Sequence, residues 1–397
     1  MKEKIAICTP GFAPVPALKG GAVETLITYL IEENEKKNIF DIDLYTIYDD
    51  SIKDIKYKNT TLYKIHKNKL QSIIARIVGG ISHRVHVNVC YLDFANNYLK
   101  EINKHKYDKI IIENNMLLYK KIYKNYKYKT KFYYHQHNNM NEPGKTKHYA
   151  KIIANSAEEI MFVSKNVKET FNKETKTNVG QVYYNCIDFD KFNYKLNDNR
   201  EKFIKEIGLS KHNYNFMFSG RICSDKGVEE LIDTFKKINK KYSNTHLTII
   251  GIKPQDTRNK YQNKIIKLCQ NENIDALNFM NTEELIKHIV SNDCVVIPSM
   301  YNEAFGVASL EAMAMKKTII ATKAGGLVEP LSDNSAIIVD RENIRKNLYN
   351  AMERVILDRD YANELAENAY NRVHRIKEFD SKNYFDYFVD YIKGRES

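Results

Sequence analysis

The 397-residue chain has little of what would tie it to several common protein classes. Its cysteines, at positions 8, 90, 186, 223, 269 and 294, are scattered with no CxxC pair, which argues against a disulfide framework and a cysteine zinc site. No apolar run approaches the roughly 20 residues of a membrane-spanning helix. The N-terminus, MKEKIAICTPGF, reads as a strand with no signal-peptide core, so a soluble, cytoplasmic chain is expected. Neither GxGxxG nor GxxxxGK[ST] occurs, so an ordinary dinucleotide fingerprint or P-loop is unsupported. Low-complexity segments and short repeats are also missing.

What is present is enough chain for two cores, at about 100 to 200 residues per domain. The net charge of +12 is unevenly placed: residues 51–150 hold 20 Lys and Arg against 6 Asp and Glu, or +14. That stretch is suited to meet something anionic. Short β-rich runs alternate with longer helical patterns, which predicts parallel sheets wrapped by helices. Strands are expected near Ile5–Thr9, Ile42–Ile47, Lys109–Glu113, Lys131–His135, Ile160–Val163 and Gln181–Tyr184. A second set is expected near Asn215–Ser219, His246–Ile250, Leu277–Met280, Cys294–Ile297, Thr318–Ala321 and Ala336–Val339. Two similar sets predict an α/β chain of two doubly wound, Rossmann-like domains. The expected division is 1–188, 189–378, and a Tyr- and Phe-rich helical tail, 379–397, able to return to the first domain.

The most informative stretch is Ser299–Ala314, SMYNEAFGVASLEAMA. A buried run ending at Pro298 leads into an acidic loop, a Phe305-Gly306 turn and an apolar helix. This order places Glu303 at a strand's carboxyl end and Glu311 about two turns into the helix. Ligands of open α/β sheets bind at such strand ends. A charge on that apolar helix needs a partner, and ligand hydroxyl groups could supply one.

Other strand ends carry similar features. Ser219-Gly220-Arg221 is followed by Lys226-Gly227 at the start of another helix, an unfavourable place for cations unless they meet an anion such as a diphosphate. Gly20-Gly21 precedes a helix from about Ala22 and lets backbone approach a phosphate closely; a plain tight turn explains it equally well. Ala324-Gly325-Gly326 is another close-approach loop. The run Tyr134-His135-Gln136-His137-Asn138 puts two histidines on one face of an extended chain. That spacing suits a metal, but no carboxylate stands close in sequence to complete a set, so one histidine as a polar or acid/base group is preferred, His137 ahead of His135.

These motifs resemble the family 4 glycosyltransferases, retaining enzymes of the GT-B fold with two Rossmann-like domains facing a cleft. PSMYNEAFGVASLEAMA, SGRICSDKG, TKAGGLVEP and VYYNCIDFDKF carry the resemblance, and KGGAVETL and FVSKNV support it. The N-terminal stretch PGFAPVPALKGGAVETL is most similar to transferases of bacterial surface polysaccharide and spore coat. The resemblance implies that Arg221 and Lys226, beside Gly220, hold the donor diphosphate. It further implies that Glu303 and Ala304, with the backbone of Phe305, Gly306 and Val307, contact the donor sugar, and that Glu311 takes the ribose hydroxyls. Gly21 would approach the diphosphate, and His137 or His135 would sit near the reacting bond. His135 and Asn138 are assigned to the acceptor. The chain departs from the family pattern at Cys186, Lys316, Thr318 and Asn138; the last leaves the choice between the histidines open.

The implied reaction is transfer of a hexosyl unit from a nucleotide diphosphate sugar to a hydroxyl of a glycan or lipid-linked acceptor, with retention, in bacterial surface polysaccharide synthesis. No metal or other cofactor is expected, since Arg221, Lys226 and a helix N-terminus can neutralise the leaving diphosphate. Residues 67–84, KNKLQSIIARIVGGISHR, have the helical spacing of an amphipathic segment, which suits docking on an anionic membrane surface by a protein peripheral to the membrane and equally suits a core helix with a solvated face. A sugar-nucleotide 2-epimerase of the same fold is the alternative. A basic nucleic-acid binder would leave Glu303 and Glu311 without a purpose, so no nucleic-acid partner is expected.

Overall fold

The computed structural model describes residues 2–67, 92–140, 146–270, 272–332 and 334–394. Contacts divide the chain into two compact units: Met1–Asn185 with Ser381–Ser397, and Cys186–Asp380.

Unit 1 holds strands β1 (Lys4–Cys8), β2 (Asp41–Ile47), β3 (Thr60–Ile65), β4 (Lys109–Glu113), β5 (Lys131–Gln136), β6 (Glu159–Phe162) and β7 (Gln181–Val182). Its helices are α1 (Ala22–Lys37), α2 (Leu92–Ile102), α3 (Met116–Asn125), α4 (Lys147–Ser156) and α5 (Lys165–Thr175). The sheet is parallel, in the order β3-β2-β1-β4-β5-β6-β7. Its central strands, such as KIAIC in β1 and KIIIE in β4, are almost wholly buried, as near-continuous apolar runs must be when helices cover both sheet faces.

Unit 2 holds α6 (Arg200–Ile207), β8 (Tyr214–Ser219), α7 (Val228–Lys241), β9 (Thr245–Ile252), α8 (Lys260–Cys269), β10 (Ile274–Asn278), α9 (Thr282–Ser291) and β11 (Cys294–Ile297). It continues through α10 (Val307–Ala314), β12 (Thr318–Thr322), β13 (Ile337–Val339), α11 (Ile344–Leu357) and α12 (Arg359–Arg375). Its parallel sheet runs β10-β9-β8-β11-β12-β13. Helix α7 shows how local sequence builds the layer. Val228, Leu231, Ile232, Phe235 and Ile238 fall on one buried stripe, with acids in the first turn and lysines in the last to suit the helix dipole.

The final helix, α13 (Ser381–Lys393), packs on α1 in unit 1. Phe40 meets the rings of Phe385 and Phe388 edge-on, Lys37 pairs with Asp386 at 2.6 Å, and the Tyr183 hydroxyl donates to the Tyr384 carbonyl at 2.7 Å.

Both sheets therefore reverse strand order once, between β1 and β4 and between β8 and β11. These are the topological switch points where the strand ends leave a crevice. Two expectations need correction. The edge strand β3 was missed because TTLYKI is short and lies among lysines, as edge strands do when they avoid further pairing. The strand expected near Leu277–Met280 lies at Ile274–Asn278, and its pairing with β9 shifts register between Leu277 and Asn278.

Candidate functional site

In unit 2 the loops after β8 and β11 lie against each other. The Met300 N–H donates to the Asp225 carbonyl at 2.7 Å, and a Cβ on Gly227 would stand 2.0 Å from the Pro298 carbonyl oxygen. Gly227 is left-handed (φ 66°) and forms the N-cap of α7, so the close approach and the backbone both require glycine. A Cβ on Gly251 would likewise lie 1.8 Å from the Gly220 carbonyl oxygen, which pins the Ser219-Gly220-Arg221 turn against the end of β9.

This packing brings Lys226 to Glu303, with Nζ 2.5 Å from Oε1. The buried Glu303 carboxylate also accepts from the hydroxyls of Ser299 and Tyr301, the latter at 2.7 Å. Burial alone would raise its pKa, but Lys226 and the two hydroxyls more than reverse that and hold it below the ordinary glutamate value. The Tyr301 hydroxyl also meets Arg221, itself exposed, and the Lys226 ammonium stands 5.2 Å from the Tyr301 ring centroid. The Glu303 backbone bridges to Gly325: its N–H donates to the Ala324 carbonyl at 3.1 Å and its carbonyl accepts from Gly326 N–H at 2.8 Å. Arg341 fixes the outer side of the loop through the Met300 carbonyl at 3.2 Å and Asn302 Oδ1 at 3.1 Å.

Gly306 (φ 131°) begins α10 without a side-chain cap. A Cβ there would reach within 2.6 Å of Leu327 Cδ1. Ala304 and Val307 are part-buried, and the Phe305 ring is buried edge-on against Phe379 at 5.9 Å. Glu311 lies among buried Leu310, Ala312 and Met313. Its carboxylate has no protein partner among the described residues, and burial pushes its pKa up to about 7. The partner that the sequence reading required is therefore not supplied by the described protein groups of this helix's surroundings.

In unit 1, Gly20 and Gly21 have φ of 75° and 116°, and Gly21 is the N-cap of α1. The first turn of α1 is already occupied by a carboxyl group: the buried Glu24 side chain accepts the N–H groups of Glu24 and Ala13 and would lie 2.3 Å from a Cβ on Gly21, and burial raises its pKa above the ordinary glutamate value. At the ends of β4 and β5, His135 Nδ1 and His137 Nε2 lie 3.0 and 2.9 Å from one oxygen, Glu113 Oε2. All three residues are buried, and the imidazole centroids are 3.8 Å apart. Burial alone would raise the Glu113 pKa, but the two histidines pull it down to about 2. Burial, and then His135, push His137 down to about 4 against the opposing pull of Glu113. Asn138 is exposed, and its carbonyl accepts from Gln136 Nε2 at 2.5 Å.

The structure thus brings together Arg221, Lys226 and Glu303, and separately His135 and His137. The reading that no carboxylate completes the histidine set is corrected by Glu113, 22 residues earlier in the chain, which the parallel register places opposite His135. Tyr301, Ser299 and Arg341 were also missed. Only Glu113 had a usable signal, as the last residue of an expected strand. The segment 67–84 lies, apart from Lys67, outside the described residues. No helix among the described residues is long and apolar enough to cross a membrane.

Residues 199–372 match the family of glycosyl transferases group 1. The capsular polysaccharide biosynthesis glycosyltransferase CapM of Staphylococcus aureus is 30% identical over 56% of this chain, which spans 58% of that relative's length. The putative glycosyltransferase YtcC of Bacillus subtilis is 24% identical over 94% of this chain and 88% of its own. Among solved structures, Anabaena Alr3699/HepE, in complex with UDP and glucose, shares the fold with a TM-score of 0.74, at 15% identity over 99% of this chain and 100% of its own. The family match lies within unit 2 and includes the loops that carry Arg221, Lys226, Glu303 and Glu311, and the likeness to HepE shows that the two Rossmann-like units have the GT-B fold.

Proposed function

We propose that the protein transfers a hexosyl unit from a nucleotide diphosphate sugar to a hydroxyl of a glycan or lipid-linked acceptor, with retention at the anomeric carbon and without a metal. The Lys226–Glu303 pair carries this reading. It joins a cation that can neutralise a leaving diphosphate to a carboxylate that can accept sugar hydroxyls, at the switch point of the unit 2 sheet. Arg221, exposed beside Tyr301, adds a planar donor suited to a phosphate. Glu311 has a carboxylate without a protein partner among the described residues, and ribose hydroxyls would supply one. CapM's role in capsule synthesis supports a surface-polysaccharide acceptor, and the UDP and glucose bound by HepE support a uridine donor.

The test is turnover of a panel of nucleotide sugars with glycan and lipid-linked acceptors, with the product anomer read by NMR. A retained anomeric configuration, with activity lost in Lys226→Ala and Glu303→Ala, is expected. Full turnover in both variants contradicts the site. An inverted product contradicts retention, and a rearranged nucleotide sugar formed without acceptor would favour the epimerase.

A further inference from the structure

The Glu113, His135 and His137 cluster in unit 1 is a poor arrangement for stability. A buried carboxylate takes both imidazoles on Oε2, while Oε1 and the far nitrogen of His135, Nε2, are buried without a hydrogen-bond partner among the described residues. Unpaired buried polar atoms cost free energy, so a cluster of this kind calls for an explanation in function. The backbone around it is equally committed. Asn114, directly after Glu113, adopts a left-handed conformation (φ 47°), uncommon for a side-chain-bearing residue. In that conformation its Oδ1 accepts the His137 N–H at 3.0 Å, and its own N–H donates to the His135 carbonyl at 2.8 Å. Asn115 then caps α3 through Leu118 N–H at 2.9 Å and reaches the Pro10 carbonyl at 3.0 Å. Consecutive residues therefore hold the His137 backbone, its ring and the loop after β1.

Two histidines and a carboxylate are also the ligand types of a transition-metal centre. The surroundings favour protons. A metal on His135 Nδ1 would leave Nε2–H as a buried donor with no acceptor, whereas metal-bound histidines almost always donate that proton to a partner. With Nδ1–H donated to Glu113 instead, Nε2 is a bare acceptor, a cheaper atom to leave unpaired.

We propose that Glu113 is a positioning residue that holds His137 as a neutral imidazole, with Nε2–H on the carboxylate and Nδ1 left as the ring's acceptor for a substrate hydroxyl. This rests on the proposed transferase function, with His137 as the histidine near the reacting bond. A neutral ring with Nε2–H committed to Glu113 has no proton on Nδ1 to give as a general acid; Nδ1 accepts a hydrogen bond from the hydroxyl, and Glu113 selects the tautomer that does so. The depressed His137 pKa is consistent with a ring that stays neutral at neutral pH.

The full-length protein, labelled with 15N-histidine, tests this in long-range imidazole NMR spectra, with His137 assigned by its loss in His137→Asn. The expected result at pH 7 is one protonated and one bare nitrogen, with the proton on Nε2, and a mixture of tautomers in Glu113→Gln. Turnover of Glu113→Gln is expected to fall about 10- to 100-fold in kcat, as for loss of an oriented catalytic contact, with donor KM changed less than about threefold. An imidazolium, an Nδ1–H tautomer, or a stoichiometric transition metal found by elemental analysis and lost in His135→Ala would overturn it. So would an unchanged kcat in Glu113→Gln. The spectra need no substrate, so failure of the transferase reading, seen as a wild type inactive on every donor, is separable from failure of the tautomer.

Discussion

Each unit has a buried carboxylate at the carboxyl end of the first strand past its sheet's switch point, Glu113 as the last residue of β4 and Glu303 in the loop after β11. Their compensation differs. Glu303 has an ammonium and two hydroxyls spread over both oxygens, while Glu113 has two imidazoles on one oxygen. The difference separates two tasks within one topology. A lysine brings a formal charge that can be shared with an incoming phosphate, whereas imidazoles at a carboxylate orient each other and contribute direction more than charge. On the function proposed above, the unit 2 site would take the anionic part of the donor and the unit 1 cluster a neutral hydroxyl.

The comparison breaks most readily at Lys226. Lys226→Ala should lower kcat/KM about 100- to 1000-fold, as loss of one charge-stabilising donor does, and should also lower the thermal midpoint because Glu303 stays buried with its cation gone. Activity kinetics and a melting curve check both parts. A variant that keeps activity would make Lys226 as dispensable as a surface lysine.

A second effect is a pH dependence of stability at Glu311. Its pKa rises from 4.5 in the ordinary state to about 7 in the fold, so between those values the folded chain keeps a proton that the unfolded chain has released. Stability is therefore lost as pH rises through that window and levels off above it. Glu311→Gln removes the dependence, and urea titrations at pH 5 and pH 8 should show the variant gaining about 1–3 kcal/mol on wild type across the window. A saturating nucleotide sugar, if it meets the carboxylate with hydroxyls, should shrink that gain.

Tyr301→Phe keeps the ring beside Lys226 and removes one donor from Glu303. A net loss of about 1 kcal/mol, or roughly fivefold in kcat/KM, is expected from one hydrogen bond to a charged group that retains other partners. The smallest effect is expected for Arg341→Ala, which frees the outer side of the loop at Met300 and Asn302 and should raise donor KM by about threefold, read in steady-state kinetics.

Much of unit 2 was legible because its chemistry is local in sequence. Glu303 through Glu311 form one strand-end, turn and helix signal, and Lys226 precedes a glycine that the fold needs at φ 66°. Tyr301 and Ser299 were in the same stretch but carry no signal of their own, since their hydroxyls matter only once Glu303 turns back toward β12. The unit 1 cluster was half legible. The histidine pair shows in the strand alternation, but Glu113 joins it through sheet register, a long-range relation that a scan for nearby carboxylates misses. Strand β3 was hidden by its lysines, and the Glu24 carboxylate at the α1 terminus by the glycines that drew attention to that turn.

Calorimetric titration of a nucleotide sugar into wild type, Lys226→Ala, Glu303→Gln and Glu113→Gln tests the division of labour most directly. The account predicts that the two unit 2 variants lose about 100-fold in donor affinity, or about 2.7 kcal/mol, while Glu113→Gln stays within about threefold of wild type. Equal donor affinity in wild type, Lys226→Ala and Glu303→Gln would contradict it.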